Sequence, residues 1–184
     1  MGTLRNQILI SMPHMQDPFF SSAVVFICEH NKDGAMGLII NKKFKEPNLN
    51  DLFEQLYIGD DAITSLVPDI HFGGPVMLER GIVLHGAGFN TEGTISISDE
   101  FSMTSQKTVL QELKAQDMIP YKLMLGHAGW AAEQLEREIE NGDWLMQSTT
   151  SDFVFNLSTD QMWRQAAGSL GMDLGSFEGV GGQA

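Results

Sequence analysis

Three short stretches gather side chains that can do chemistry. The first is Cys28-Glu29-His30. In an unbroken strand side chains alternate with period two, so Cys28 and His30 share a face. An imidazolium beside a thiol favours the thiolate and raises its reactivity. The competing reading is a buried structural cysteine at the end of an apolar strand, with His30 in the turn that follows and Glu29 on the solvated face. The second stretch is Leu125-Gly126-His127-Ala128-Gly129-Trp130, read as running from strand to helix. N–H groups at a helix start can hold an anion. The glycines equally serve close packing of strand on helix, with Trp130 as a packing anchor. The third is Gly73-Gly74-Pro75, followed by Glu79-Arg80-Gly81 and His85. Consecutive glycines can form an anion-binding nest, and Arg80 supplies a positive charge. The plainer alternative is a turn followed by an ion pair at a strand end.

Motifs of the common enzyme classes do not occur. The chain has no GxxxxGK(S/T) phosphate loop, no GxSxG nucleophile elbow and no HExxH zinc pair. One cysteine cannot make a CxxC metal or redox pair. His14, His71 and His127 are scattered without metal-ligand spacing, so no metal and no cofactor are expected. The 11 methionines read as core filler.

Composition bounds the rest. The 184 residues are 42% hydrophobic and 19% charged, which excludes disorder. That length suits a single domain over residues 1–184. Eleven basic against 24 acidic residues leave a net charge of −13, a field that repels phosphate backbones. Direct duplex DNA binding is therefore not expected. Cys28 is alone and cannot form an internal disulfide, which fits a reducing cytoplasm. No apolar run approaches the roughly 20 residues of a membrane helix, so no membrane association is expected.

The elements that must position these residues follow from periodicity and turn chemistry. Gln7 to Met12 reads as a strand halted by Pro13. Apolar runs Ala23 to Glu29 and Ala35 to Asn41 read as a pair of buried strands joined through a hairpin that Asp33-Gly34 signals. Leu49, Leu52, Phe53 and Leu56 mark one face of a helix. Further strands are expected at Gly81 to His85, Thr94 to Ser98, Lys122 to Leu125 and Phe153 to Asn156. Helices are expected at Thr108 to Gln116, at Ala131 to Asn141 with Gly142 as the C′ residue, and from a Ser158/Gln161 capping box through Ala167. The hairpin argues against a uniform βαβ series, so the class is α+β.

In order and spacing, a further set of residues is familiar. They are Met12-Pro13 with Asp17-Pro18-Phe19-Phe20, Cys28-Glu29-His30-Asn31, Gly34-Ala35-Met36-Gly37-Leu38-Ile39-Ile40-Asn41 and Gly73-Gly74-Pro75-Val76. Glu79-Arg80-Gly81, Leu84-His85, Ala128-Gly129-Trp130, Gln134-Leu135-Glu136 and Trp144-Leu145 continue it. The chain resembles the bacterial YqgE/AlgH family over essentially its whole length. The resemblance implies a mixed, split β-sheet curled into a pseudo-barrel with helices packed outside, in a cytoplasmic protein. It carries a named role in transcriptional regulation but no catalytic mechanism. Two departures stand out: Phe89-Asn90 where a tryptophan commonly follows the Leu-His strand, and Gly182-Gln183-Ala184 where the family ends in Gly-His-Ala.

The expected function is that of a non-enzymatic regulatory or adaptor protein acting through a protein partner. The alternatives are a small-molecule or redox sensor built on Cys28 and His30, and an enzyme built around Gly73, Arg80 and His85. Asn41, Gly73, Gly74, Arg80 and His85 are the candidate binding residues; no small-molecule ligand is identified by the residues.

Overall fold

The computed structural model describes residues 2–43, 70–106, 109–116 and 118–171. Nine strands and four helices lie within them. The strands are β1 (Gln7–Ser11), β2 (Val24–Asn31), β3 (Gly34–Ile39), β4 (Ile70–Phe72), β5 (Val76–Gly86), β6 (Thr94–Ser96), β7 (Phe101–Thr104), β8 (Tyr121–Ala131) and β9 (Trp144–Ser148). The helices are α1 (Val109–Gln116), α2 (Gln134–Glu140), α3 (Ser151–Asn156) and α4 (Thr159–Ser169). The helix expected around Leu49 to Leu56 lies outside the described residues.

The strands form one curled sheet in the order β6-β7-β5-β8-β3-β2-β1-β9, with β4 beside β8. Its pairs are antiparallel except β4 with β8, which is parallel. The sheet is thus mixed, and the class is α+β as expected. Its centre is the β2–β3 hairpin, with Val25 opposite Ile39, Phe26 opposite Leu38 and Ile27 opposite Gly37. The turn is Lys32-Asp33, with Asn31 Oδ1 accepting from the Asp33 N–H at 2.7 Å. Gly34 follows because a Cβ there would stand 2.2 Å from the Trp130 carbonyl oxygen on β8.

Alternation sorts the apolar residues onto two faces. Leu9, Val25, Ile27, Ile39, Val83, Leu123 and Leu125 pack on one face with Leu110 and Leu113 of α1 and Leu135 of α2. Ile8, Ile10, Val24, Phe26, Cys28, Leu38, Ile82, Leu84 and Met124 pack on the other with Val154 of α3 and Met162 and Ala166 of α4. Helices therefore cover both faces, which is why the central strands read as continuous apolar runs. The curl brings the chain before β1 round to β6, where the Arg5 guanidinium donates to the Ser96 carbonyl oxygen.

The sheet splits at β8. Residues 128–131 of β8 pair with β3, whereas residues 121–127 pair with β5. Beyond the split, β4 and Gly73 fill the fork: the Gly73 N–H donates to Leu125 O at 2.8 Å, and Gly73 O accepts from the Ile39 N–H at 2.8 Å. Gly126, at φ 76, is the hinge of this change of partner.

Four expectations need correction. Phe153 to Asn156 belongs to a helix, not a strand. The Thr150 side chain caps it by accepting from the Phe153 N–H at 3.2 Å, and an apolar run this short does not decide between the two. Leu125 to Trp130 does not enter a helix; all of it is strand, because Gly126 redirects the chain rather than ending it. The helix after it starts only at Gln134, following Glu133 at φ 64. Ser158 is the residue before α4, but its side chain makes no capping bond. Gly142, at φ 82, does close α2 as expected, with its N–H on Ile139 O at 3.0 Å. Strands β4, β7 and β9 have no counterpart among the expected strands.

A candidate binding site at the sheet fork

Cys28 and His30 are not brought together. The register of β2 against β3 slips between Ile27 and Glu29, so Cys28 is the extra residue of a β-bulge. The slip reverses the side-chain parity beyond it. Cys28 stays in the core with Phe26 and Leu38, fully buried, and burial raises its thiol pKa strongly, with Glu29 adding to the effect and Arg5 opposing it. His30 turns to the other face. Its Nδ1 accepts from the Leu4 N–H at 2.9 Å, so Nε2 carries the proton and donates to Glu136 Oε1 at 2.8 Å. A thiol in the core and an imidazole used twice do not make a reactive pair.

Asn41 is a brace at the open end of the hairpin. Its Oδ1 accepts from the Val24 N–H at 2.8 Å and its Nδ2 donates to Ser22 O at 2.9 Å. His85 is fully buried on β5. One ring nitrogen lies 2.9 Å from Gly86 O and the other 2.8 Å from Thr104 Oγ1. A carbonyl only accepts, so Nδ1 carries the proton and Nε2 takes the Thr104 hydroxyl hydrogen. Thr94 Oγ1 lies 2.9 Å from Thr104 Oγ1 and accepts from the Thr91 N–H at 3.0 Å. This is a directed chain of hydrogen bonds, and burial lowers the pKa of the ring that ends it. Lys122, buried on β8, donates to Ile40 O at 3.5 Å; burial first, and Lys43 second, pull its pKa down to about 8.

The second and third stretches prove to be one place. A Cβ on Gly73 would stand 2.3 Å from Gly126 O, one on Gly74 2.2 Å from the His127 carbonyl carbon, and one on Gly126 2.2 Å from Gly74 O. The Gly73-Gly74 pair thus crosses Gly126-His127 with the backbones in contact, an approach that leaves no room for a Cβ at any of the three glycines. They pack strand on strand and make no nest for an anion.

The exposed groups lie beside this crossing. Val76 pairs with His127 and Gly81 with Leu125, so residues 77–80 of β5 bulge outward opposite Gly126 alone. Met77 holds φ 50, a left-handed conformation unusual for a side chain of this size, and is 47% exposed. Val76 is 40% exposed. Arg80 reaches Ser105 Oγ at 3.2 Å. Across β8, His127 and Gly129 alternate away from the buried Ala128 and Trp130. Gly129 is exposed, with open space where a Cβ would stand, and lies opposite Met36. Met36 in turn lies opposite Glu29. The result is a row across four adjacent strands: Glu29, Met36, then Gly129 and His127, then Arg80 with Val76 and Met77.

His127 is the electrostatic centre of that row. Its Nδ1 is buried and has no hydrogen-bond partner. Burial lowers its pKa, Arg80 lowers it further and Glu29 opposes both. Among the described residues no three His, Cys, Asp or Glu side chains cluster as metal ligands. Gly73 and Gly74 of the third stretch lie against Gly126 and His127 of the second, a contact that sequence spacing does not reveal, and the open face at Gly129 is not singled out by it either. The available signal was an exposed-type glycine, Gly129, inside an apolar strand, a pattern that marks close approach by another molecule.

The comparisons with known proteins agree with the fold. The AlgH-like family, DUF179, matches residues 8–175. A UPF0301 protein of Shewanella woodyi is 38% identical over 188 residues, covering all of both chains. One of Jannaschia is 41% identical over 173 residues, covering 92% of this chain and 90% of its own. The solution structure of the AlgH protein from Pseudomonas aeruginosa superposes with a TM-score of 0.72 at 36% identity, covering 95% of each chain. A crystal structure of a Corynebacterium diphtheriae protein gives 0.68 at 20% identity, over 90% of this chain and 86% of its own, and shares the fold. With Gly73-Gly74 wedged in a split, curled sheet and the family match spanning nearly every element of it, the chain belongs to the AlgH-like (UPF0301) family.

Proposed function

We propose that the chain is a non-enzymatic binding protein that acts through a protein partner, and that the partner docks on the row from Glu29 to the β5 bulge. The observation that carries this reading is the bulge itself. A methionine is held out in solvent in a left-handed conformation, over a crossing of glycines that tolerates no side chain. Backbone strain of this kind costs on the order of 1–3 kcal/mol and concentrates at binding sites. Val76, Met77 and Met36 supply apolar contact, and Arg80 and Glu29 supply opposite charges at the two ends of the row. The groups that could have done covalent chemistry are engaged elsewhere: Cys28 in the core, His30 between Leu4 and Glu136, His85 in its hydroxyl chain. An effect on transcription, as the family resemblance implies, would run through the partner, because a net charge of −13 opposes contact with duplex DNA.

The test is affinity capture from the native cell with three variants in parallel. Met77→Asp should lose the partner. Cys28→Ser and Met118→Asp, the latter at an 87% exposed site away from the row, should retain it. Equal capture by all three, or loss only with Met118→Asp, would overturn the reading.

A further inference from the structure

We propose that β9 pairs with the β9 of a second copy of this chain, extending the sheet across a two-fold axis at Met146. This goes beyond the docking row and does not rest on it. β9 ends the strand order on one side, as β6 does on the other. The phase of its bonds is fixed just before it, where the Met12 N–H donates to Asp143 O at 3.0 Å. Antiparallel partners exchange bonds at every second position. Leu145 and Gln147 therefore bond to β1, opposite Ile10 and Ile8. The N–H and C=O groups of Trp144, Met146 and Ser148 point away from the sheet, and among the described residues nothing bonds to them.

The two edges of the sheet differ in how they are protected. β6 is three residues long, and the Arg5 guanidinium occupies its Ser96 carbonyl oxygen. β9 is five residues long, and its register against β1 runs without a bulge. It has no charge and no proline, so it lacks the devices that keep an open edge from pairing. The occupant such an edge fits is another strand, and β9 is complementary to itself. Antiparallel pairing about Met146 sets Trp144 opposite the partner's Ser148 and the two Met146 residues opposite each other. Each outward N–H then meets an outward carbonyl oxygen. The partly buried Met146 side chains meet on the face that carries Trp144. The seam is neutral, and the two Asp143 carboxylates fall at its opposite ends. So short a seam buries less than the roughly 1,000 Å² of a stable interface, and the pair dissociates on dilution. Two bodies of net charge −13 repel, so the pair tightens as salt is raised.

The test is amide hydrogen exchange by NMR on the full chain, dilute and at high concentration, beside sedimentation velocity. The Leu145 and Gln147 amides should be protected at both concentrations. The Met146 and Ser148 amides should exchange freely when dilute and slow by about tenfold or more once most chains are paired. Met146→Pro removes an outward N–H and no bond to β1; Met146→Lys sets two like charges opposite each other at the axis. Both should melt close to the parent protein and remain monomeric, and Met146→Lys alone decides if the proline variant does not fold. A chain that stays monomeric at high concentration would overturn the inference. So would a dimer in which Met146 and Ser148 exchange as fast as when dilute, one that Met146→Lys still forms, or one that salt dissolves.

Discussion

His30 stands two residues after Cys28 on the same strand, yet the two side chains lie on opposite faces of the sheet. The single extra residue in β2 causes this, since every side chain past a bulge changes face. The first prediction follows. Alkylation of Cys28 in the native protein should be negligible at neutral and mildly alkaline pH and complete only on denaturation. His30→Ala should leave the thiol's behaviour unchanged. Rapid native labelling, or a rate that responds to His30, would restore the sensor reading.

The His85 chain makes stability depend on pH. Burial lowers the pKa of the folded ring below its ordinary value of about 6.5. The unfolded state therefore binds the proton more readily. Stability from this group is full above about pH 6.5 and is lost as pH falls through the folded pKa. Protonation would also put a second donor opposite the Thr104 hydroxyl. Melting should weaken between pH 7.5 and 5, and His85→Gln should melt with a smaller loss over that range. An equal loss in both proteins would contradict the assignment.

Glu138 gathers two indoles. Its Oε1 accepts from Trp130 Nε1 at 3.1 Å and from Trp144 Nε1 at 3.0 Å, and its Oε2 accepts from Gln134 at 2.8 Å. The two rings meet edge to face at 6.2 Å, with Phe20 packed against both. Both tryptophans are buried, at 7% and 2% exposure. Glu138→Ala leaves two indole N–H groups unmet, at about 1–3 kcal/mol each. Urea unfolding should show a loss of about 2–5 kcal/mol, with a change in tryptophan emission. Glu138→Gln keeps the Oε1 acceptor and should lose less.

Two glycines three residues apart on β8 should behave oppositely. Gly126→Ala sets a Cβ 2.2 Å from Gly74 O at φ 76, and should destabilise by several kcal/mol, roughly the upper range for one substitution. Gly129→Ala meets open space and should be neutral or slightly stabilising, by about 0.5 kcal/mol. Thermal melts of the two variants check this. Similar losses would mean that the fork is not the rigid point of the sheet.

Much of the fold was legible because its signals are local. The hairpin of Val24 to Ile27 with Leu38 to Ile40 follows from two apolar runs around a polar turn, and the pairing of Val25 with Ile39 fulfils it. Phe153 to Asn156 departs from expectation because three consecutive apolar residues fit a strand or a helix equally well. The site was less legible, for a physical reason. Gly73-Gly74 and Gly126 are about fifty residues apart, and nothing local says that their backbones cross. The bulges at Cys28 and Met77 depend on how the opposite strand is registered, which no periodicity reveals. Arg80 reads in the sequence as a positive charge near Gly73-Gly74, and the nearness of its strand to His127 exists only once β5 lies against β8.

The central claim is that a protein partner docks on the β5 bulge beside His127. Its most direct test is site-specific photocrosslinking in the native cell, with the photoreactive residue at Met77 or, as control, at Met118. Docking on the bulge predicts a discrete crosslink to another protein from position 77, abolished by Gly129→Leu, a change that fills the open space on the row and leaves the fold's melting unchanged. It predicts no such product from position 118. The absence of a discrete crosslink from position 77, or one indifferent to Gly129→Leu and matched at position 118, would contradict it.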